Sequence, residues 1–234
     1  MSVIEARQLE KTYVAGDITV NAIRKVDFTI EPASFVSFIG PSGSGKSTLL
    51  NMIGALDPPT SGTLNVVGQE ITTLNRKDAA TFRGDNIGFV FQDFNLIPVL
   101  TVFENVEYPL LMVQNWPKEK RRTRVLDMLE AVGMADQANK YPSQISGGQK
   151  QRVAVARALV TNAKLVLADE PTANLDRETA NKIITLMKRM RDEFKTTFIF
   201  STHDPKIVQN VETTFTLEDG KIITSNNNAG GSHV

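Results

Sequence analysis

Gly40-Pro41-Ser42-Gly43-Ser44-Gly45-Lys46-Ser47-Thr48 follows the apolar run Phe35-Val36-Ser37-Phe38-Ile39 and leads into a helix-forming stretch that reaches Gly54. Gly40, Gly45, Lys46 and Ser47 meet the spacing G-x-x-x-x-G-K-[ST], with the entering strand and leaving helix that this motif requires. Glycines let successive backbone N–H groups turn inward around phosphates. The helix N-terminus adds the positive end of its dipole. The loop from Ser42 through Gly43, Ser44 and Gly45 to Thr48 is therefore expected to wrap a nucleoside triphosphate. Lys46 should reach the β- and γ-phosphates, and the Ser47 hydroxyl should bind Mg²⁺.

Working outward, Ile145-Ser146-Gly147-Gly148-Gln149 is a second glycine-rich, helix-opening anion site. One subunit has no need of two. Two copies packed head to tail would each complete the other's site, an arrangement expected of an ATP-driven clamp. Leu165-Val166-Leu167-Ala168-Asp169-Glu170 is an apolar strand ending in two acids. Carboxylates there can cap the next turn, but behind a phosphate loop they suit metal-assisted phosphoryl chemistry. Asp169 would hold Mg²⁺ through water, and Glu170 would polarise the attacking water. His203 follows the strand Thr197 to Phe200, where loops converge at the carboxyl ends of parallel strands. It can hold Glu170 and the water in place. Gln92, at the end of the strand Ile87 to Phe91, can touch Mg²⁺ or water and link the nucleotide to the segment that follows.

The 234 residues fit one large domain or a core with an inserted subdomain. Acidic and basic residues balance at 26 each, so bulk charge favours neither nucleic acid nor an anionic membrane. With no cysteine there is neither a disulfide framework nor a thiolate metal site. Residues 1–30 lack a signal-peptide pattern, and no apolar run approaches the ~20 residues of a membrane span. Any membrane link is expected to come through a partner.

Strands alternating with helices imply an α/β fold with a mainly parallel sheet. Strands are expected at 3–7, 22–30, 35–39, 62–67, 87–91, 165–168 and 197–200. Helices are expected at 47–54, 150–159 and 177–194, with a helix-rich stretch over 100–132. The charged run Lys118-Glu119-Lys120-Arg121-Arg122 reads as a solvated helix face. Phe215–Glu218 and Lys221–Ile223 suggest a hairpin turning through Asp219-Gly220. Residues 225–234 read as a flexible polar tail.

Taken together, these elements resemble the ATP-binding-cassette (ABC) ATPase family, from Ile4 to about Ile223. The resemblance implies a P-loop core over about 1–92 and 150–224, an N-terminal antiparallel β subdomain and a helical insert over about 93–149. Tyr13 matches the aromatic that stacks on adenine, Gly40–Thr48 the Walker A loop and Gln92 the Q-loop. Ser146, Gly147, Gly148 and Gln149 match the signature, with Ile145 where leucine is usual. Leu165–Glu170 matches Walker B with its catalytic Glu170, Ala173-Asn174-Leu175-Asp176 the D-loop, with Asp176 near the nucleotide, and His203 the switch histidine. Phe89-Val90-Phe91-Gln92, Phe94-Asn95-Leu96-Ile97-Pro98 and Glu104-Asn105-Val106 are similar to the LolD, MacB and FtsE-like group.

The resemblance implies a homodimeric ATPase subunit on the cytoplasmic face of a membrane. It would dock integral-membrane permease subunits near Gln92 and the insert, around Phe94, Leu96, Ile97 and Val102. An FtsE-like signalling ATPase without transport shares nearly all these features. A soluble ABC ATPase of DNA repair or translation would need tandem cassettes or a coiled-coil insert. A GTPase would need an N-K-x-D or T-K-x-D motif, and none is present.

Overall fold

Residues 2–227 are described by the computed structural model. In chain order the first elements are β1 (Ile4–Ala15), β2 (Ile18–Ile30), β3 (Phe35–Ile39), α1 (Lys46–Ile53), β4 (Ser61–Val66) and β5 (Gln69–Glu70). Then come α2 (Arg76–Asn86), β6 (Ile87–Val90), α3 (Val102–Met112), α4 (Lys118–Ala131) and α5 (Gly147–Leu159). β7 (Leu165–Asp169), α6 (Arg177–Phe194), β8 (Thr197–Ser201), α7 (Pro205–Val208), β9 (Thr213–Glu218) and β10 (Lys221–Asn227) complete the described chain.

Two sheets form. One is four-stranded in the order β2-β1-β4-β5, with antiparallel neighbours throughout. The other is six-stranded in the order β10-β9-β3-β8-β7-β6, parallel except for the β9–β10 edge hairpin. The mixed α/β architecture matches the expectation of a mainly parallel sheet with an N-terminal antiparallel sheet.

Period-two alternation assigns each strand face to its own core. Val166, Ala168, Phe198 and Phe200 point into one cluster with α3, α4, α5 and α6. Leu165, Leu167, Ile199, Val36 and Phe38 point the other way, onto α1 and the antiparallel sheet. Each fully buried Phe or Leu contributes about 1.5–3 kcal/mol relative to an exposed one. The helices between β6 and β7 therefore share a continuous core with one face of the main sheet.

Local chemistry sets the helix starts. Thr101 and Glu104 close a capping box on α3, which turns Val102, Val106 and Leu110 inward. Ser146 and Gln149 form a second box, so α5 begins at Gly147, three residues ahead of the expected Lys150. Asp176 caps α6 by accepting from the Glu178 and Thr179 amides, and a bond from the Thr179 side chain, followed by these amide bonds, holds its carboxyl below the usual range.

α2 was not anticipated. It is polar with no buried residue, and Asn75 caps it by accepting from the Lys77 and Asp78 amides. The charged run on α4 is exposed as expected, except that Arg121 turns to pair with Glu107 of α3 at 2.9 Å. The β9–β10 hairpin forms, but Ser225, Asn226 and Asn227, expected in the tail, pair with Phe215, Thr214 and Thr213. Threonine-rich β9 offers an edge whose backbone they satisfy. The remaining tail residues, 228–234, lie outside the described residues.

Candidate functional site

The phosphate loop connects β3 to α1 at the carboxyl end of the parallel sheet. Gly45 has φ 104°, and a Cβ there would stand 2.5 Å from the Ala22 carbonyl oxygen. Gly40 has φ 148°, and its Cβ would stand 2.0 Å from the Leu217 carbonyl oxygen. The loop thus closes only because these residues are glycine. Lys46 folds back across it, its Nζ donating to the Gly40 and Pro41 carbonyls at 2.9 Å each.

A cavity of about 1050 Å³ opens above the loop. Tyr13, Ser42, Gly43, Gly45, Lys46, Ser47, Thr48, Gln92, Asp169, Glu170 and His203 all line it. Ser44 does not: its side chain is buried and packs behind the loop. Gln92 lies two residues beyond the end of β6, not at its last position. Its cavity position adjoins Ser47, Asp169 and Glu170.

Ser47 Oγ and Asp169 Oδ1 stand 3.5 Å apart. A hydroxyl and a carboxylate so placed, with Gln92 lining the same recess, form a hard-oxygen donor set. This suits Mg²⁺, which takes one or two protein oxygens and fills its octahedron with phosphate and water. Among the described residues no cluster of three or more His, Cys, Asp or Glu side chains forms a site made by protein alone.

Glu170 has φ 45°, a left-handed conformation rare for a side chain of this size. Strain of this kind collects at functional sites. Its amide donates to the Ser201 carbonyl, which anchors the turn to β8. Its Oε1 lies 2.6 Å from His203 Nδ1, and its Oε2 accepts from Thr202 Oγ1 at 2.9 Å. His203 is therefore paired with the acid as expected. Thr202 was missed, because a threonine ahead of a histidine carries no signal until β8 and β7 are paired.

Tyr13 presents a partly exposed ring to the cavity. Its hydroxyl donates to Asp57 Oδ2 at 2.6 Å. Burial, then the bond to Asp57, push the phenol above its ordinary pKa.

Ser146, Gly148 and Gln149 lie in a separate cleft of about 330 Å³ with Arg152, Thr179 and Lys182. Gly147, the first residue of α5, sits beside Leu175 and Phe94. At Gly148 a Cβ would meet Thr179 Cγ2 at 2.4 Å, so glycine is what lets α5 approach α6. The signature residues and Asp176 are thus outside the cavity that holds Lys46 and Glu170.

A third cleft, of about 630 Å³, lies beside Gln92 between α2, β6, α3 and α5. The stacked rings of Phe89 and Phe91, 5.8 Å between centroids, form part of its wall with Met112 and Val113. The apolar residues that follow Gln92 lie apart from this cleft. Phe94, Leu96, Ile97 and Val102 do not line the cleft. Val102 is fully buried, because the Thr101 cap turns it inward, and Leu96 packs against the same core. Arg157 supports the segment after Gln92 by donating to the Phe94 and Asn95 carbonyls, at 2.8 and 2.5 Å. Both of those residues have positive φ, and burial lowers the Arg157 pKa. Asn174 Nδ2 ties the D-loop to the same segment through the Gln92 carbonyl and Asp93 Oδ1.

A glycine-lined phosphate loop, an adjacent Ser–Asp oxygen pair and a strained glutamate held by histidine define a P-loop nucleoside triphosphatase. More narrowly, the chain belongs to the ABC transporter family, whose profile matches residues 23–173, and it is an ATP-binding, ATP-hydrolysing cassette. It is 40% identical to the lipoprotein-releasing system ATP-binding protein LolD 1 of Caulobacter vibrioides, over 98% of both chains. It is 39% identical to the macrolide export ATP-binding/permease protein MacB of Rhodopseudomonas palustris, covering 95% of this chain and 34% of that one. A dimeric, post-hydrolysis structure of the cassette MJ0796 bound to ADP and Pi superposes with a TM-score of 0.87. It is 41% identical and covers 97% of this chain and 99% of that one. The protein MJ0796 comes from Methanocaldococcus jannaschii.

Proposed function

We propose that this chain is the ATPase subunit of a membrane transporter of the lipoprotein-release or macrolide-export kind, closing on a second copy of itself when ATP binds and peripheral to the membrane. One observation carries the reading: the cavity with Lys46 and Glu170 lacks Ser146, Gly148 and Gln149, which face a separate cleft of the same chain. A second copy would bring its Ser146 amide-rich helix end to the γ-phosphate. No helix among the described residues is long and apolar enough to cross a membrane, so a membrane partner supplies the transport path.

In the site, the Tyr13 ring receives the base and the loop amides and Lys46 hold the phosphates. Ser47, Asp169 and Gln92 would hold Mg²⁺, which neutralises charge on the phosphates. Glu170 orients a water in line with the γ-phosphorus and takes its proton. The new P–O bond forms as the bond to the β-phosphate oxygen breaks. Thr202 and His203 keep the carboxylate aimed. A site completed by a second chain predicts that phosphate release per chain rises with protein concentration. Specific activity independent of concentration, in a protein that is monomeric throughout, would rule it out.

The cleft beside Gln92 is the docking surface for the membrane subunits. Met112 and Val113 are 61% and 52% exposed, and an amphipathic helix fits such a groove through i, i+3, i+4 anchors. Replacing both with Glu should abolish co-purification with the permease. The isolated subunit should keep its ATPase activity, with stability changed by no more than about 0.5 kcal/mol per site, as for other exposed positions. Intact assembly would move the contact elsewhere.

A further inference from the structure

The ring of Tyr13 stands near the tip of the β1–β2 hairpin, where packing gives little support: Val14 is 71% and Ile18 67% exposed. An aromatic on such a tip would sample many orientations. Polar bonds to a different part of the chain restrain it. The Tyr13 hydroxyl donates to Asp57 Oδ2 at 2.6 Å. Lys11, two residues earlier on the same strand face, donates from Nζ to Asp57 Oδ1 at 2.5 Å and to the Pro58 carbonyl at 2.6 Å. The Lys11 side chain is largely buried, and its ammonium lies 4.9 Å from the Tyr13 ring centroid. This is a cation–π distance. A buried ammonium needs such partners, since unpaired it would be strongly unfavourable.

Asp57 is itself fixed. Its amide and that of Leu56 donate to the Asn51 carbonyl at 3.3 and 2.9 Å. Asn51 belongs to α1, the helix whose first residues are Lys46 and Ser47. One helix therefore presents the phosphate cradle at its start and, through Asp57, anchors the aromatic ring from its end.

We propose that Asp57 and Lys11 are positioning residues for the nucleotide base: they hold the Tyr13 ring in the orientation that receives it, and so set affinity through the base and not through the phosphates. The inference rests on the reading that Tyr13 stacks on the base. Ionisation keeps the clamp closed. Burial raises the Asp57 carboxyl pKa, but the bonds from Lys11 and Tyr13 outweigh it and leave the group below its ordinary value. Tyr13 is shifted upward. A carboxylate acceptor and a protonated phenol therefore coexist through the neutral range.

The test compares ATP with inorganic tripolyphosphate, which occupies the phosphate cradle without a base. KM and kcat for ATP, and competitive inhibition by Mg²⁺–tripolyphosphate, are measured for wild type, Tyr13→Ala, Tyr13→Phe, Asp57→Ala and Asp57→Asn. Tyr13→Phe and Asp57→Ala should raise KM roughly three- to tenfold, the range of one net hydrogen bond, with kcat within about twofold. Asp57→Asn, which keeps an acceptor for the phenol, should recover part of the loss. Tripolyphosphate inhibition should not change in any variant. A raised KM in Tyr13→Ala with a wild-type KM in Tyr13→Phe overturns the clamp while leaving base stacking intact. A wild-type KM in Tyr13→Ala removes base stacking itself, and the clamp with it. Parallel weakening of ATP and tripolyphosphate in Tyr13→Phe means a distorted cradle, which also overturns the proposal.

Discussion

Glu170→Gln should bind ATP as tightly as the wild type and turn it over at least about a hundredfold more slowly. The amide is isosteric and can still accept from Thr202, so the left-handed turn after β7 and its anchor to the Ser201 carbonyl survive. What is lost is the basic oxygen that takes the proton of water. A positioned base is worth ~10² to 10⁴ in rate. The expected signature is slow steady-state phosphate release with unchanged nucleotide affinity, because Lys46 and the phosphate loop are untouched. Turnover within about tenfold of wild type would show that Glu170 is not the base.

Lys46→Ala and Ser146→Arg should both abolish turnover, but for different reasons. Lys46 spans the phosphate loop from Gly40 to Pro41, and its loss removes the cation that meets the triphosphate, so ATP binding should disappear in the same chain. Ser146 lies outside that cavity, at the exposed start of α5. Arginine there forfeits the cap to the Gln149 amide, about 0.5–2 kcal/mol, which leaves the chain folded and able to bind ATP. Its bulk then blocks closure onto a second chain. In a mixed dimer of the two variants both defects fall in one composite site. The other combines an intact Lys46 with an intact Ser146, so about half the wild-type rate should remain. Loss of ATP binding by the isolated Ser146→Arg chain would place the signature in the same chain's site and contradict the composite arrangement.

Much of this was legible in the residues. The phosphate loop announces itself because Gly40, Gly45, Lys46 and Ser47 act within nine positions of one another, and β7 and β8 are short apolar runs of the kind a buried parallel strand gives. α2 was hidden because helix periodicity is read from apolar residues and none of its residues is buried. Only Asn75 and Asp78 marked its start. Thr202 and Asp57 escaped for another reason: each acts on a residue more than thirty positions away, Glu170 and Tyr13 respectively. The burial of Val102 did have a signal. Val102, Val106 and Leu110 recur every fourth residue behind the Thr101–Glu104 capping box, which marks Val102 as part of the helix's inward face.

The mass of the Glu170→Gln protein in solution, with and without Mg²⁺–ATP, is the decisive measurement, because slowed hydrolysis should trap the closed state. A monomer is expected without nucleotide, a dimer of twice that mass with ATP, and reversion to monomer with ADP. A protein that stays monomeric at saturating ATP, or that is equally dimeric without it, would contradict an ATP-driven clamp.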